Sequence, residues 1–165
     1  TSGNKYHYQQ WALEVDGVGS VRVLPLWAGN GTVKLVLASP TMDAVSETVV
    51  EACTAHIEAV RPIGAEVTVV SAVRLPIDIS ANVELMTSVG LAEVRASFAA
   101  AADAYLRDIA FDAEVASINK IGYLLIGIPG VVDYAALTLN GVAANVQLTS
   151  GQVPALGTVT LNASA

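Results

Sequence analysis

Any chemistry in this chain would fall to a short set of side chains: His7 and His56, the single cysteine Cys53, and the carboxylates Asp103, Asp108, Asp112 and Glu114. Thiol and imidazole groups serve as nucleophiles, bases or metal ligands, but metal sites gather several donors at spacings such as His-x-x-x-His or Cys-x-x-Cys. Neither spacing occurs. Cys53 and His56 lie three residues apart, close enough to meet on one helical face, yet two donors make half a site. An unpaired cysteine on an apolar helical face is read as a core thiol in a reducing compartment, the catalytic thiol being the alternative. His7 falls in a terminus expected to fray, and His56 borders an apolar stripe.

Paired carboxylates act as acid and base when their environments push their pKa values apart. Asp108 and Asp112 would share a face only in a helix that runs past Phe111, and Arg107 stands beside them, so the cluster reads as a solvated surface. Glu14-Val15-Asp16 marks a helix end. Gly17-Val18-Gly19 lacks the third glycine of a dinucleotide fingerprint and precedes a strand; no phosphate-cradling loop or nucleophile elbow occurs either. Asn30-Gly31-Thr32 and Asn162-Ala163-Ser164 match the glycosylation acceptor pattern but are read as a hairpin turn and a tail. No catalytic, cofactor-binding or metal residue is assigned, and the chain is expected not to be an enzyme. The residues singled out instead, as core or interface anchors, are Trp11, Trp27, Tyr105 and Tyr134.

The elements that would hold these residues follow from periodicity. Tyr8, Trp11, Ala12 and Val15 mark one helical face, stopped at Gly17. Strands are expected over Val18–Leu26 and Thr32–Ala38, with Gly29-Asn30-Gly31 supplying the positive φ angles of a hairpin. Ser46 should cap a helix with the stripe Val49, Cys53, Ile57 and Val60, ended before Pro62 and followed by a strand over Glu66–Val73. Leu75 to Leu85 is apolar at every second position, a strand with one wet face. A long helix follows, with Leu91, Val94, Phe98, Ala101 or Ala102, Tyr105 and Ile109 inward. Ser117 should cap Ile118–Ile128, apolar nearly all round and therefore expected to be buried, ahead of strands near Val131–Leu139, Asn145–Leu148 and Thr158–Leu161. The fold class is thus α+β: an αββαβ unit over 1–74 and a βααβββ unit over 75–165, with mixed or antiparallel sheets. Asp16-Gly17-Val18 and Pro129-Gly130-Val131, each ending a helix before strand, turn and strand, hint at a duplicated module; chance is the other reading.

The surface is unusually poor in charge. Hydrophobic residues make up 53% of the 165 and charged ones 14%, against about 25% in ordinary soluble domains, so part of the exterior should be covered by another subunit. Exposed alanine is the alternative account. A net charge of −7, with basic residues scattered from Lys5 to Lys120, excludes the cationic patch that nucleic acid or an anionic membrane surface requires. The most apolar run, Ile121 to Val132, is shorter than the roughly 20 residues of a spanning helix and is broken by Pro129-Gly130. The chain opens at Thr1 without an initiating methionine, so it is expected to be a piece of a longer protein.

The order of several segments resembles a known family. A GNKYHY entry leading to QQWALEV, then DGVG, a strand ending in PLW, a GNGT turn and VKLVLAS, looks like the opening of the C-terminal region of phage baseplate J-like proteins. Further on, PIGAEVTVVSA (Pro62–Ala72), PIDISANVEL (Pro76–Leu85), YLRDIAF (Tyr105–Phe111), DYAALTLNG (Asp133–Gly141) and QVPALGTVT (Gln152–Thr160) keep the family's order. The short connection Val60-Arg61-Pro62 departs from it where relatives carry a longer insertion.

The resemblance implies a structural component of a contractile-tail baseplate, phage or prophage-derived, in the wedge or ring layer of the virion tail. Other baseplate proteins and copies of itself would be its partners, as an oligomer made in the bacterial host cytoplasm, with no cofactor, nucleic acid or membrane. The rival classes are a carbohydrate-binding or adhesin module, which should show an exposed aromatic platform, and an enzyme with a dispersed site, which should show converging titratable groups in a pocket.

Overall fold

The computed structural model describes residues 4–164, so Gly3 of the GNKYHY segment lies outside the described residues. Its elements are α1 (Lys5–Leu13), β1 (Ser20–Pro25), β2 (Thr32–Ala38), α2 (Glu47–Val60), β3 (Glu66–Ser71), β4 (Val73–Leu85), α3 (Leu91–Ile109), β5 (Val115–Ala116), α4 (Ile118–Ile126), β6 (Val131–Leu139), β7 (Val146–Gln147) and β8 (Gln152–Ala163). The fold is α+β, as expected. Two compact units divide the chain: residues up to Arg74 with Ser150–Val153, and Leu75–Thr149 with the residues from Pro154 on.

In the first unit the carboxamide of Asn4 accepts from the His7 amide at 3.0 Å, capping α1. His7 therefore sits inside a capped first turn rather than in a frayed end, correcting the sequence reading. Tyr8 and Ala12 are buried, Trp11 and Val15 pack beside them, and Gly17 takes φ +93° where the chain leaves the helix. β1 and β2 pair antiparallel, placing Val21 opposite Leu37 and Val23 opposite Leu35, all four buried. The first strand is shorter than expected, because the connection is a six-residue loop, Leu26 to Gly31, rather than a tight turn. Gly29 and Gly31 supply positive φ there and Asn30 does not; Leu26, at φ 57°, takes the third left-handed position.

Ser46 caps α2 by accepting from the Val49 amide. Cys53 and Ile57 are buried, but Val60, read as the last member of the stripe, is exposed. The reason is local: Arg61 swings to an extended backbone, ψ 152°, ahead of Pro62. Its guanidinium then holds the turn, bonding the Glu58 carboxylate at 2.9 Å and the carbonyls of Pro62 and Ala65. β3 runs parallel to β2, with Val67 beside Val33 and Val69 beside Leu35. It stops at Ser71, two residues short of the expected end, and the buried Ala72 donates to the Leu37 carbonyl at 2.7 Å.

In the second unit the alternation of β4 is realised: Ile77, Ile79, Ala81 and Val83 are buried, whereas Pro76, Asp78, Asn82 and Glu84 face outward. The strand order is β6-β4-β8. β6 is antiparallel to β4. Thr158 donates to the Asp78 carboxylate and Ser164 to the Val83 carbonyl, so β8 advances in the same sense as β4. Two register shifts interrupt the β4–β6 pairing, between Ser80 and Asn82 and between Glu84 and Leu85. Each inserts an extra residue in β6, the first where Ala136 takes φ 54°. The inward set of β6 therefore becomes Val131, Tyr134, Leu137 and Leu139, which no period of two predicts.

Val94, Phe98, Ala102 and Leu106 are the buried face of α3. Leu106, absent from the sequence expectation, lies deeper than Tyr105, whose hydroxyl reaches the surface to accept from the Ser117 amide at 3.0 Å. α4 ends at Ile126 and is not buried all round: Ile121, Gly122 and Leu125 face the core, while Tyr123 is 70% and Ile126 40% exposed. Its first turn is capped from two sides, Ser117 Oγ accepting from Lys120 and Asn145 Oδ1 from Ile118. β5 was not foreseen; it pairs antiparallel with β7 and brings Asn145 to that helix end. β8 extends well beyond Thr158–Leu161, so Asn162 belongs to a strand rather than a tail. The duplication reading does not describe the wiring: β1 forms a hairpin with the strand that follows it, whereas β6 pairs with β4, which precedes it.

Candidate functional site

The side chains that could do chemistry are dispersed. Cys53 is fully buried among Tyr8, Val21, Leu37 and other apolar residues, and desolvation pushes its thiol up to about 11, the wrong direction for a nucleophile. His56 has a partner after all: its Nε2 lies 2.7 Å from Glu14 Oε2, tying the exit of α1 to α2 across 42 residues of sequence. His7 stacks on Trp11 with ring centroids 5.7 Å apart. The described residues hold no group of three or more His, Cys, Asp or Glu placed to share a metal ion.

The carboxylates near the end of α3 resolve likewise. Asp103 meets Arg107 at 3.0 Å along the helix surface. The helix stops at Ile109, and Phe111 takes φ 66°, so Asp108 and Asp112 do not share a helical face.

The four anchor candidates separate into two kinds. Trp11 packs edge-on to Tyr8 at 5.4 Å on the first core, and Tyr105 and Tyr134 pack on the second. Tyr134 closes directly over Gly122 of α4, where a β-carbon would meet the ring. Trp27 is different: it is 48% exposed in the β1–β2 loop, with the Lys34 ammonium 5.0 Å above its ring. Tyr6 and Tyr123 also reach solvent, each on a different element.

What each unit offers a neighbour is a set of shallow surfaces. α1 and β1 flank a groove of about 340 Å³ with Tyr6, Leu13 and Val21 along it. In the second unit, α3 and β8 flank another, of about 440 Å³, floored by Ala92, Ala96 and Ala99 beside Arg95. On the opposite side of that sheet from α3, a depression of about 180 Å³ is lined by Asn82, Glu84, Asp133, Tyr134 and Ser164. No helix among the described residues is long and apolar enough to cross a membrane.

Residues 1–71 match the model of the baseplate J-like central domain, and residues 77–162 that of the baseplate J-like protein C-terminal domain. The chain belongs to the baseplate J-like family. Among curated relatives, the uncharacterized protein YqbT of Bacillus subtilis (strain 168) is 38% identical over 167 residues, taking in 97% of this chain and 48% of the relative. The phage-like element PBSX protein XkdT of the same organism is 34% identical over 165 residues, 96% of this chain and 47% of that protein. This baseplate J-like chain thus spans about half the length of the curated relatives it matches. A cryo-EM structure of the anti-feeding prophage baseplate, 6-fold symmetrised, contains a chain of the same fold, with a TM-score of 0.68 at 16% identity over 93% of this chain and 37% of the other.

Proposed function

We propose that the chain is a structural part of a contractile-tail baseplate, phage or prophage-derived, that makes subunit and neighbouring-protein contacts in the wedge or ring layer and catalyses nothing itself. The observation that carries this reading is the match to two baseplate J-like domains in succession, together accounting for most of the chain. The site chemistry agrees with it: the one thiol is buried and shifted away from reactivity, and each unit turns shallow apolar and small-residue grooves outward. Surfaces of that kind meet other protein surfaces rather than enclose a small substrate. Its partners would be other baseplate proteins and further copies of itself, and its place the tail baseplate of the particle, after synthesis in the host cytoplasm. Within the chain, Trp11, Tyr105 and Tyr134 would anchor the two cores, while Trp27 would be the interface anchor.

The test is localisation. Antibody raised against this chain should label one end of purified contractile tail particles in immunogold microscopy, and in-frame deletion should leave tails without a baseplate. Unlabelled particles, or normal baseplates after deletion, would refute the proposal.

A further inference from the structure

Two surfaces of the second unit carry unanswered charge of opposite sign. On the outward face of the β6-β4-β8 sheet, Glu84 stands directly opposite Asp133 in the register, and Asn82 is paired with Ala135 beside them. Side chains directly across an antiparallel pair are about 4.5–5.5 Å apart at Cβ, and like charges so placed repel. Asp133 Oδ1 accepts from the Tyr134 amide, but among the described residues no cation is paired with either carboxylate. The alternation of β4 turns Glu84 outward, and the register sets the exposed Asp133 of β6 across from it. On the other side of the unit, Arg95 projects from α3 beside the groove floored by Ala92, Ala96 and Ala99. Leu91 and Ala99 stand four residues to either side, so no carboxylate answers Arg95 along the helix, and no ion pair to it is present among the described residues.

We propose that the second unit binds a second copy of this chain head to tail, Arg95 of one copy bridging Glu84 and Asp133 of the next. The assignment rests on the reading of the chain as a subunit that meets its own copies, and names the face. One guanidinium, with donors arranged in a planar fork, can serve two adjacent carboxylates, which a lysine ammonium matches less well. The alanine floor lets the neighbouring sheet approach closely enough for that contact. Because the two faces differ, the association is heterologous and propagates from copy to copy, as a ring requires.

Sedimentation velocity of the chain over a concentration series tests this. The wild type should grow in mass with concentration and lose that growth in high salt, where screening shortens to about 3 Å at 1 M. Arg95→Glu alone, and Glu84→Arg with Asp133→Arg in one chain, should each weaken association at least tenfold while keeping wild-type circular dichroism, since all three positions are exposed. An equimolar mixture of the two variants should associate again, because every contact then joins opposite charges. Arg95→Gln should fail alone and with Arg95→Glu, and with the Glu84→Arg/Asp133→Arg variant it should stop at pairs, since that variant's Arg95 meets the intact carboxylates while glutamine has no charge to offer in return. A monomeric wild type, variants that associate as the wild type does, or a mixture that stays apart would overturn the proposal. Immunogold labelling of tail particles is independent of these outcomes, so loss of this interface and loss of the baseplate reading are told apart.

Discussion

Gly19 is the position where a single methyl group should do most damage in the first unit. A β-carbon there would lie 2.7 Å from the Ser39 carbonyl carbon and closer still to the backbone of Pro40. Ordinary carbon contacts begin at about 3.5 Å, so the chain after β2 would have to move by roughly 1 Å. Backbone is what blocks the space, and it cannot rotate away as a side-chain end would. The same displacement would stretch the bond from the Gly19 amide to the Ala38 carbonyl, now 2.8 Å. Overpacking costs about 1–3 kcal/mol and a lost internal hydrogen bond about 1 kcal/mol, so Gly19→Ala should destabilise the unit by roughly 2–4 kcal/mol. Gly151→Ala is the matched control, belonging to the same unit with open space around its β-carbon position. Neither glycine has a positive φ, so backbone strain does not confuse the comparison. Tryptophan fluorescence during urea unfolding reports this unit alone, since Trp11 and Trp27 both lie in it. A Gly19→Ala midpoint within error of the Gly151→Ala midpoint would refute the reasoning.

Alkaline pH should destabilise the first unit through Cys53. Its thiol titrates near 11 when folded against 9.0 for the free group, so its contribution is complete below about pH 9 and is lost as pH rises toward 11. The loss should be on the order of 2–3 kcal/mol, and the buried phenol of Tyr8, also raised by desolvation, adds in the same direction. Denaturant midpoints measured from pH 8 to pH 11 should fall, and fall less steeply in Cys53→Ala; equal slopes would contradict the assignment. Phe98→Ala, emptying the fully buried centre of the α3 face, should cost about 3–5 kcal/mol in the second unit as read by circular dichroism. Trp27→Ala should change stability by less than about 1 kcal/mol, an exposed cation–π contact being its main tie, whereas Trp11→Ala should cost at least twice as much by the same melts.

Where local physics dominates, the sequence was readable. The alternation from Leu75 to Leu85 and the capping serines Ser46 and Ser117 each depend on near neighbours, and each stands where expected. Partners far apart in sequence were not readable. Nothing near Glu14 announces His56, and nothing near Val115 announces the short pairing with Val146 that creates β5. The burial pattern of β6 was hidden for a different reason: two bulges reset its phase, and a bulge is decided by the partner strand. α4 misled because apolar composition does not say whether a second side is covered; Tyr123 and Ile126 remain outside. The candidate site suffered most. Arg95, Glu84 and Asp133 look like ordinary solvated charges until the register places two of them opposite each other, whereas the family resemblance rested on segment order and survived those local errors.

The strand order β6-β4-β8 sets a timetable for synthesis. β4 is translated before its like-directed neighbour, which begins at Gln152, so the inner strand of that sheet waits with one flank unpaired while α3 through β7 are made. Domains generally mature as units during translation, and here the sheet closes only after β8 has left the exit tunnel. Nascent chains stalled ahead of Gln152 should therefore remain open to protease within β4 while released chains resist, and equal resistance would show that the sheet does not need its final strand.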